Sequence, residues 1–159
     1  MKLNLSEKLL LLAATLALIH HTDHVLRVDH SGWPFAPQVT PFTFSLLVYP
    51  VFLSVFMTRA KPWYRVIGTA VLFLFATLSH TFLETPMDQY RTWAYGSSFP
   101  GHVGQHNLLG QDSRALGVCA VLVTALLSLT LLASFFAFAR DARRSKSRSD
   151  LSHAAERGQ

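Results

Sequence analysis

Four apolar stretches separated by polar segments restrict the fold of this chain more than any other feature of its sequence. A helix of about 20 apolar residues is long enough to cross the hydrocarbon core of a bilayer. Only 14% of the residues are charged, against about 25% in a soluble domain, because charged side chains are costly in lipid. We therefore predict an all-α polytopic membrane protein, a four-transmembrane-helix bundle whose single domain covers residues 1–139, with spans at 3–26, 42–58, 63–84 and 114–139.

Prolines mark the expected ends and irregularities of these spans. Pro41 precedes the second span, where a first-turn proline is tolerated. Pro50 lies inside that span and predicts a kink, because proline removes one backbone hydrogen bond. Pro86 disfavours helix at Thr85, so the third span must end near that residue.

Lysine and arginine are distributed unequally between the two sides of the predicted bundle. Eleven of the 14 lie before or near the start of the first span, between the second span and the first turn of the third, or after the fourth. Arg27, Arg91 and Arg114 fall on the other side. The positive-inside rule then predicts cytoplasmic termini, insertion in the plasma (inner) membrane, and a long outer loop between the third and fourth helices. The net charge of +5 is thus a topology signal that favours membrane lipids as partners, and nothing separate supports nucleic acid.

The two ends of the chain allow further interpretations. Residues 140–159 are polar, basic and poor in apolar side chains, which predicts a disordered cytoplasmic tail. The first span also has features of a cleaved signal peptide, with a basic start and a short apolar run. An uncleaved helix is favoured because the nearest small-residue cleavage pattern, Thr15-Leu16-Ala17, is a poor one.

Histidine is concentrated on the predicted outer side, where seven of the eight histidines lie. His20 and His24 are four residues apart and would share one helix face, as would His80 and Glu84. Because the first and third spans both run outward, these two pairs should reach the same membrane depth. Two helices that each offer two ligands can build a metal site in a bundle, and the loop residues His102 and His106 would close it from above.

The expected ligands restrict the metal and the chemistry. Cys119 is the only cysteine and lies in an apolar run, so the site would contain nitrogen and oxygen donors without thiolate. Such donors suit zinc, copper or iron, of which zinc is favoured. Zinc with an open position would support hydrolysis at the membrane, with Asp23 or Asp88 as the base or as the group that orients a ligand histidine.

Other interpretations remain open at the level of sequence. His80 and Glu84 can form a buried pair that anchors a helix end, and Asp23 can pair with Arg27. Histidines on facing helices also suit a haem-binding redox module. Alternatively, the protein is a non-enzymatic accessory subunit, or a metal or proton transport component, within a larger membrane complex or a homo-oligomer.

Overall fold

The computed structural model describes residues 2–27, 41–96 and 107–157, which contain helices and no strand. The prediction of an all-α protein is therefore confirmed for these ranges. The helices are α1 (Leu5–Arg27), α2 (Pro41–Ser45), α3 (Val48–Met57), α4 (Pro62–Phe82), α5 (Pro86–Tyr95) and α6 (Arg114–Arg157).

Among the described residues, three helices are long and apolar enough to cross a membrane: α1, α4 and residues Arg114–Arg148 of α6. The predicted second span corresponds to a shorter apolar segment, Phe42–Met57. Large apolar side chains are exposed along the outer faces of the three long helices, including Leu18 on α1, Ile67 on α4 and Leu129 on α6. Apolar surface of this extent is expected where a helix faces lipid rather than water.

Helix α6 is the centre of the fold, since α1, α4 and α5 all pack against it and α3 packs on α4. Small side chains let helices approach closely in a membrane, and Ala13 and Ala17 give α1 such a face. The buried core residues come from α1, α3, α4 and α6: Leu10, Ala13, Ala17, Phe52, Val55, Val66, Leu72, Leu127, Leu131, Phe138 and Ala142.

A buried ion-pair cluster holds the start of α1 against the start of α4. Glu7 contacts Arg59 (Oε1 to Nε, 2.7 Å) and Arg65 (Oε1 to Nη2, 3.0 Å). Arg65 also donates from Nε to the Val55 carbonyl, at 3.1 Å. Both α1 and α4 also pack against α6, which together with this ion-pair cluster holds the two helices near each other.

The predicted second span is interrupted at Leu46 and Leu47, between α2 and α3. Pro50 has no N–H to donate to the carbonyl of Leu46 four residues earlier, and its ring would clash with that carbonyl in a continuous helix. The Leu46 carbonyl instead accepts from the backbone N–H of Tyr49, at 3.2 Å. Pro50 therefore lies in the first turn of α3, where it is tolerated.

The predicted outer loop contains a helix, α5, that the sequence analysis did not predict. Thr85 caps its N-terminus in a reciprocal capping box with Asp88, and Pro86 occupies the first turn. This arrangement satisfies otherwise unpaired backbone donors at the helix start. Helix α4 ends at Phe82, close to the end expected from Pro86.

The C-terminal segment also differs from the sequence-based expectation. Residues 140–159 were expected to be disordered, whereas α6 continues as a helix through Arg157. Alanine, arginine and lysine are strong helix formers, and neither glycine nor proline occurs in residues 140–157. Low hydrophobicity does not exclude a helix, and Ala142 near the start of this segment is even part of the buried core.

Candidate metal centre

The end of α1 and the residues that follow α4 bring three potential metal ligands together: His20, His24 and Glu84. His20 and His24 are one helical turn apart, and their Nε2 atoms are separated by 3.0 Å. Glu84 Oε2 lies 3.3 Å from His24 Nε2. One donor atom from each of the three residues lies within 4.8 Å of the others, and all three side chains are buried. This cluster could hold a metal ion.

The distances between these atoms fit a small divalent cation. Zinc binds histidine nitrogen and carboxylate oxygen at about 2.0–2.2 Å in tetrahedral geometry, which places neighbouring ligand atoms about 3.3–3.5 Å apart. The separations of 3.0 and 3.3 Å in the cluster are close to this value. The third pair, His20 and Glu84, has donor atoms within 4.8 Å of each other.

Thr124 on α6 contacts the Nδ1 atom of His20. Its hydroxyl oxygen lies 3.1 Å from His20 Nδ1, 3.0 Å from Gln89 Oε1 and 3.1 Å from the Ala120 carbonyl oxygen. When His20 carries its hydrogen on Nδ1, it donates to this hydroxyl, which in turn donates to Gln89 Oε1 or to the Ala120 carbonyl oxygen. In that tautomer His20 Nε2 carries the lone pair that a metal needs, as in metal sites where a second residue orients the ligand histidine.

Glu84 is held in its ionised form by its neighbours. Arg27 Nη1 donates to Oε1 at 2.5 Å, and Gln89 Nε2 donates to Oε2 at 3.0 Å. Burial alone would raise the pKa of Glu84, but the contact with His80 and the positive charge of Arg27 outweigh it and hold this pKa well below its usual range. A carboxylate that binds a metal must be deprotonated, so Glu84 is in the form that a cation requires.

The two predicted catalytic aspartates lie outside the cluster of ligand atoms. Asp23 accepts from Arg27 Nε and Trp93 Nε1, both at 2.7 Å. It therefore supports Arg27 and, through Arg27, Glu84. Asp88 Oδ2 accepts from the backbone N–H of Thr85 at 3.0 Å and from its hydroxyl at 2.7 Å. A catalytic role for either aspartate stays a prediction.

His80 borders the cluster without being one of its three central residues. Its ring centroid is 4.5 Å from that of His20, and its Nδ1 lies 3.5 Å from Glu84 Oε2. The amide nitrogen of Gln89 is 3.0 Å from the same Nδ1. The predicted ligands His102 and His106 lie outside the residues that the structure describes.

Four buried side chains that contribute to the site were not among the predicted site residues: Arg27, Gln89, Thr124 and His21. Thr124 could have been found from its position as a polar residue inside an apolar run. His21 binds Tyr49 through Nδ1 at 2.8 Å and Ser45 through Nε2 at 3.0 Å, so it joins α1 to α2 and α3. No feature of the sequence indicates that Gln89 contributes to the site.

A cavity of about 120 Å³ adjoins the cluster between α1, α2, α3, α4 and α6. One end is formed by His20, His24, His80 and Glu84. The remaining wall is mostly aliphatic and aromatic, with the buried side chains Phe52 and Leu72 among its lining. The candidate metal centre therefore faces an apolar space instead of bulk water.

The chain matches no protein-family model, no curated protein and no solved structure. A functional assignment therefore depends on the geometry and chemistry of the cluster itself.

Thr124 provides a test of this geometry. We expect Thr124→Val to weaken zinc binding by about 10- to 100-fold, the usual effect of removing the partner that orients a ligand histidine. Zinc affinity is measured by competition with a chromogenic chelator in purified protein. Thr15→Val is the matched control, because the Thr15 hydroxyl is exposed and donates to the Leu11 carbonyl in its own helix. Equal zinc affinities in the two variants would contradict the assigned role of Thr124.

Proposed function

We propose that this chain is a four-span membrane metalloprotein with cytoplasmic termini, and that it acts as a metal-dependent hydrolase. In this proposal the metal centre lies at the extracytoplasmic ends of the first and third spans. The basic residues that precede α1, connect α3 to α4 and extend α6 support this orientation. Phe42–Met57 would be the remaining span, and it contains the break before Pro50.

The observation that carries the proposal is the convergence of His20, His24 and Glu84 beside a cavity. Two histidines and one glutamate are a ligand set of catalytic zinc sites, which keep a position open for water or substrate. Structural zinc sites are instead closed by four protein ligands. Zinc is our first assignment, and copper or iron would accept the same donor atoms.

The residues around the cluster have distinct parts in the proposed reaction. A zinc ion in this ligand set supplies Lewis acidity and activates water near neutral pH. In the hydrolysis, water adds across an ester or amide bond: the acyl carbon gains hydroxyl and the leaving oxygen or nitrogen gains hydrogen. His80 lines the cavity beside the ligands, so it is the side chain best placed to exchange protons there. Thr124, Gln89 and Arg27 hold His20 and Glu84 in position.

Metal analysis of the purified protein tests the proposal. We expect wild-type protein to contain about one equivalent of zinc per chain, and His20→Ala to contain less than about a tenth of an equivalent after the same purification. His21→Ala is the matched control, since it removes a neighbouring buried histidine whose ring nitrogens bind Tyr49 and Ser45. A wild-type protein without any transition metal after zinc supplementation would refute the proposed function, as would equal zinc content in His20→Ala.

A further inference from the structure

The cavity beside the cluster has the properties of a site for a hydrocarbon chain. It lies between helices that carry the apolar spans, and its deeper wall includes Phe52, Leu72 and Leu131, all buried. His21 also lines it, but both ring nitrogens of His21 are already bound to Tyr49 and Ser45. The part of the cavity wall that lies outside the cluster is therefore suited to an apolar group of a ligand.

The entrance to the cavity lies on the apolar surface of the protein. Phe44 and Leu83 line the cavity and are nevertheless 57% and 61% exposed. Phe82, beside Leu83 in sequence, is 76% exposed. Since this surface is of the kind that faces lipid, a molecule in the bilayer could enter sideways without crossing water.

We propose that the cavity binds the acyl chain of a lipid ester or amide, with its carbonyl group at His20, His24 and Glu84. This inference rests on the proposed function, because it names the substrate class of the same metal centre. An apolar cavity of about 150 Å³ accommodates benzene, so the cavity of about 120 Å³ matches a segment of several methylene groups. The rest of a longer chain would extend past Phe44 and Leu83 into the bilayer.

Zinc-chelating hydroxamates of different chain length test this inference. Acetohydroxamate and heptanohydroxamate differ by five methylene groups, and each methylene that is buried from water favours binding by about fourfold. We expect heptanohydroxamate to bind the zinc-loaded wild-type protein at least tenfold more tightly, referred to the free aqueous concentration in one detergent. Two variants that fill the cavity from different walls, Ala76→Leu and Val48→Leu, should lose most of this preference and keep the affinity for acetohydroxamate.

The control is Ala125→Leu, which adds the same volume as Ala76→Leu, and more than Val48→Leu, at an exposed position of α6 outside the cavity lining. It should retain the wild-type preference. Zinc content is measured first for each protein, so that failures can be separated. A wild-type protein without zinc would refute the proposed function and this inference together. Zinc-loaded wild-type protein that binds both hydroxamates equally, or a preference unchanged in both filled variants, would overturn the acyl-chain inference alone.

Discussion

Arg27→Met is expected to lower the free energy of unfolding of the metal-free protein by about 3–5 kcal/mol, the range for breaking a buried ion pair from one side. Arg27 is 2% exposed and contacts both Asp23 and Glu84. Methionine keeps much of the apolar stem but removes the charge, so the buried carboxylate of Glu84 and the partly buried carboxylate of Asp23 would both lose their positive partner. Chemical denaturation in detergent, followed by far-ultraviolet circular dichroism, measures the loss.

Two comparisons separate this effect from a general effect of losing an arginine. Arg143→Met removes an exposed arginine of α6 and should change the unfolding free energy by less than about 0.5 kcal/mol. The double variant Arg27→Met/Glu84→Gln should recover part of the loss, because the substitution also removes one of the buried negative charges. An Arg27→Met protein as stable as wild type would contradict a stabilising role for this pair.

The ligand cluster was predictable because two local rules agree. The spacing of His20 and His24 places both on one helix face, and the predicted outward direction of the first and third spans places Glu84 at the same depth. Neither rule contains the angle or distance between the two helices. Helices α1 and α4 adjoin because both pack against α6 and because Glu7 forms ion pairs at the opposite end of α1.

The partners of the ligands were not predictable in the same way. Gln89 reaches Glu84 because α5 packs against α6, where a Cβ atom on Gly117 would lie only 2.7 Å from the Tyr90 carbonyl oxygen. This close approach is a tertiary feature that hydrophobic periodicity does not report. The sequence likewise favoured an Asp23–Arg27 pair, which the structure contains, but gave no sign that Arg27 also reaches Glu84, 57 residues away.

Hydropathy was similarly informative for some segments and uninformative for others. Length and apolar composition identified α1, α4 and α6 as segments able to span a membrane. The same criterion leaves out Phe42–Met57, because this apolar segment is shorter than the roughly 20 residues that a helix needs to cross the hydrocarbon core. Beyond the last apolar residues of α6, the polar composition predicts that the side chains face water. It does not distinguish a helix from a disordered segment, so the sequence does not predict the helix that continues through Arg157.

Zinc is expected to stabilise the wild-type protein strongly, because a ligand that binds the native state alone shifts the unfolding equilibrium. At a free zinc concentration of about 1,000 times its Kd, the increment is about 4.1 kcal/mol. The expected binding site consists of His20, His24 and Glu84, so His24→Ala should lose nearly all of this increment. Denaturation curves with zinc and with a chelator measure it for each protein.

The same increment distinguishes the proposed centre from zinc bound elsewhere. His21→Ala should keep it, since the His21 ring is engaged by Tyr49 and Ser45 instead of the ligand cluster. Arg27→Met should regain much of its lost stability when zinc is added, because a divalent cation would supply positive charge beside Glu84. A full increment in His24→Ala would instead assign the stabilisation to other histidines and remove the energetic support for this centre.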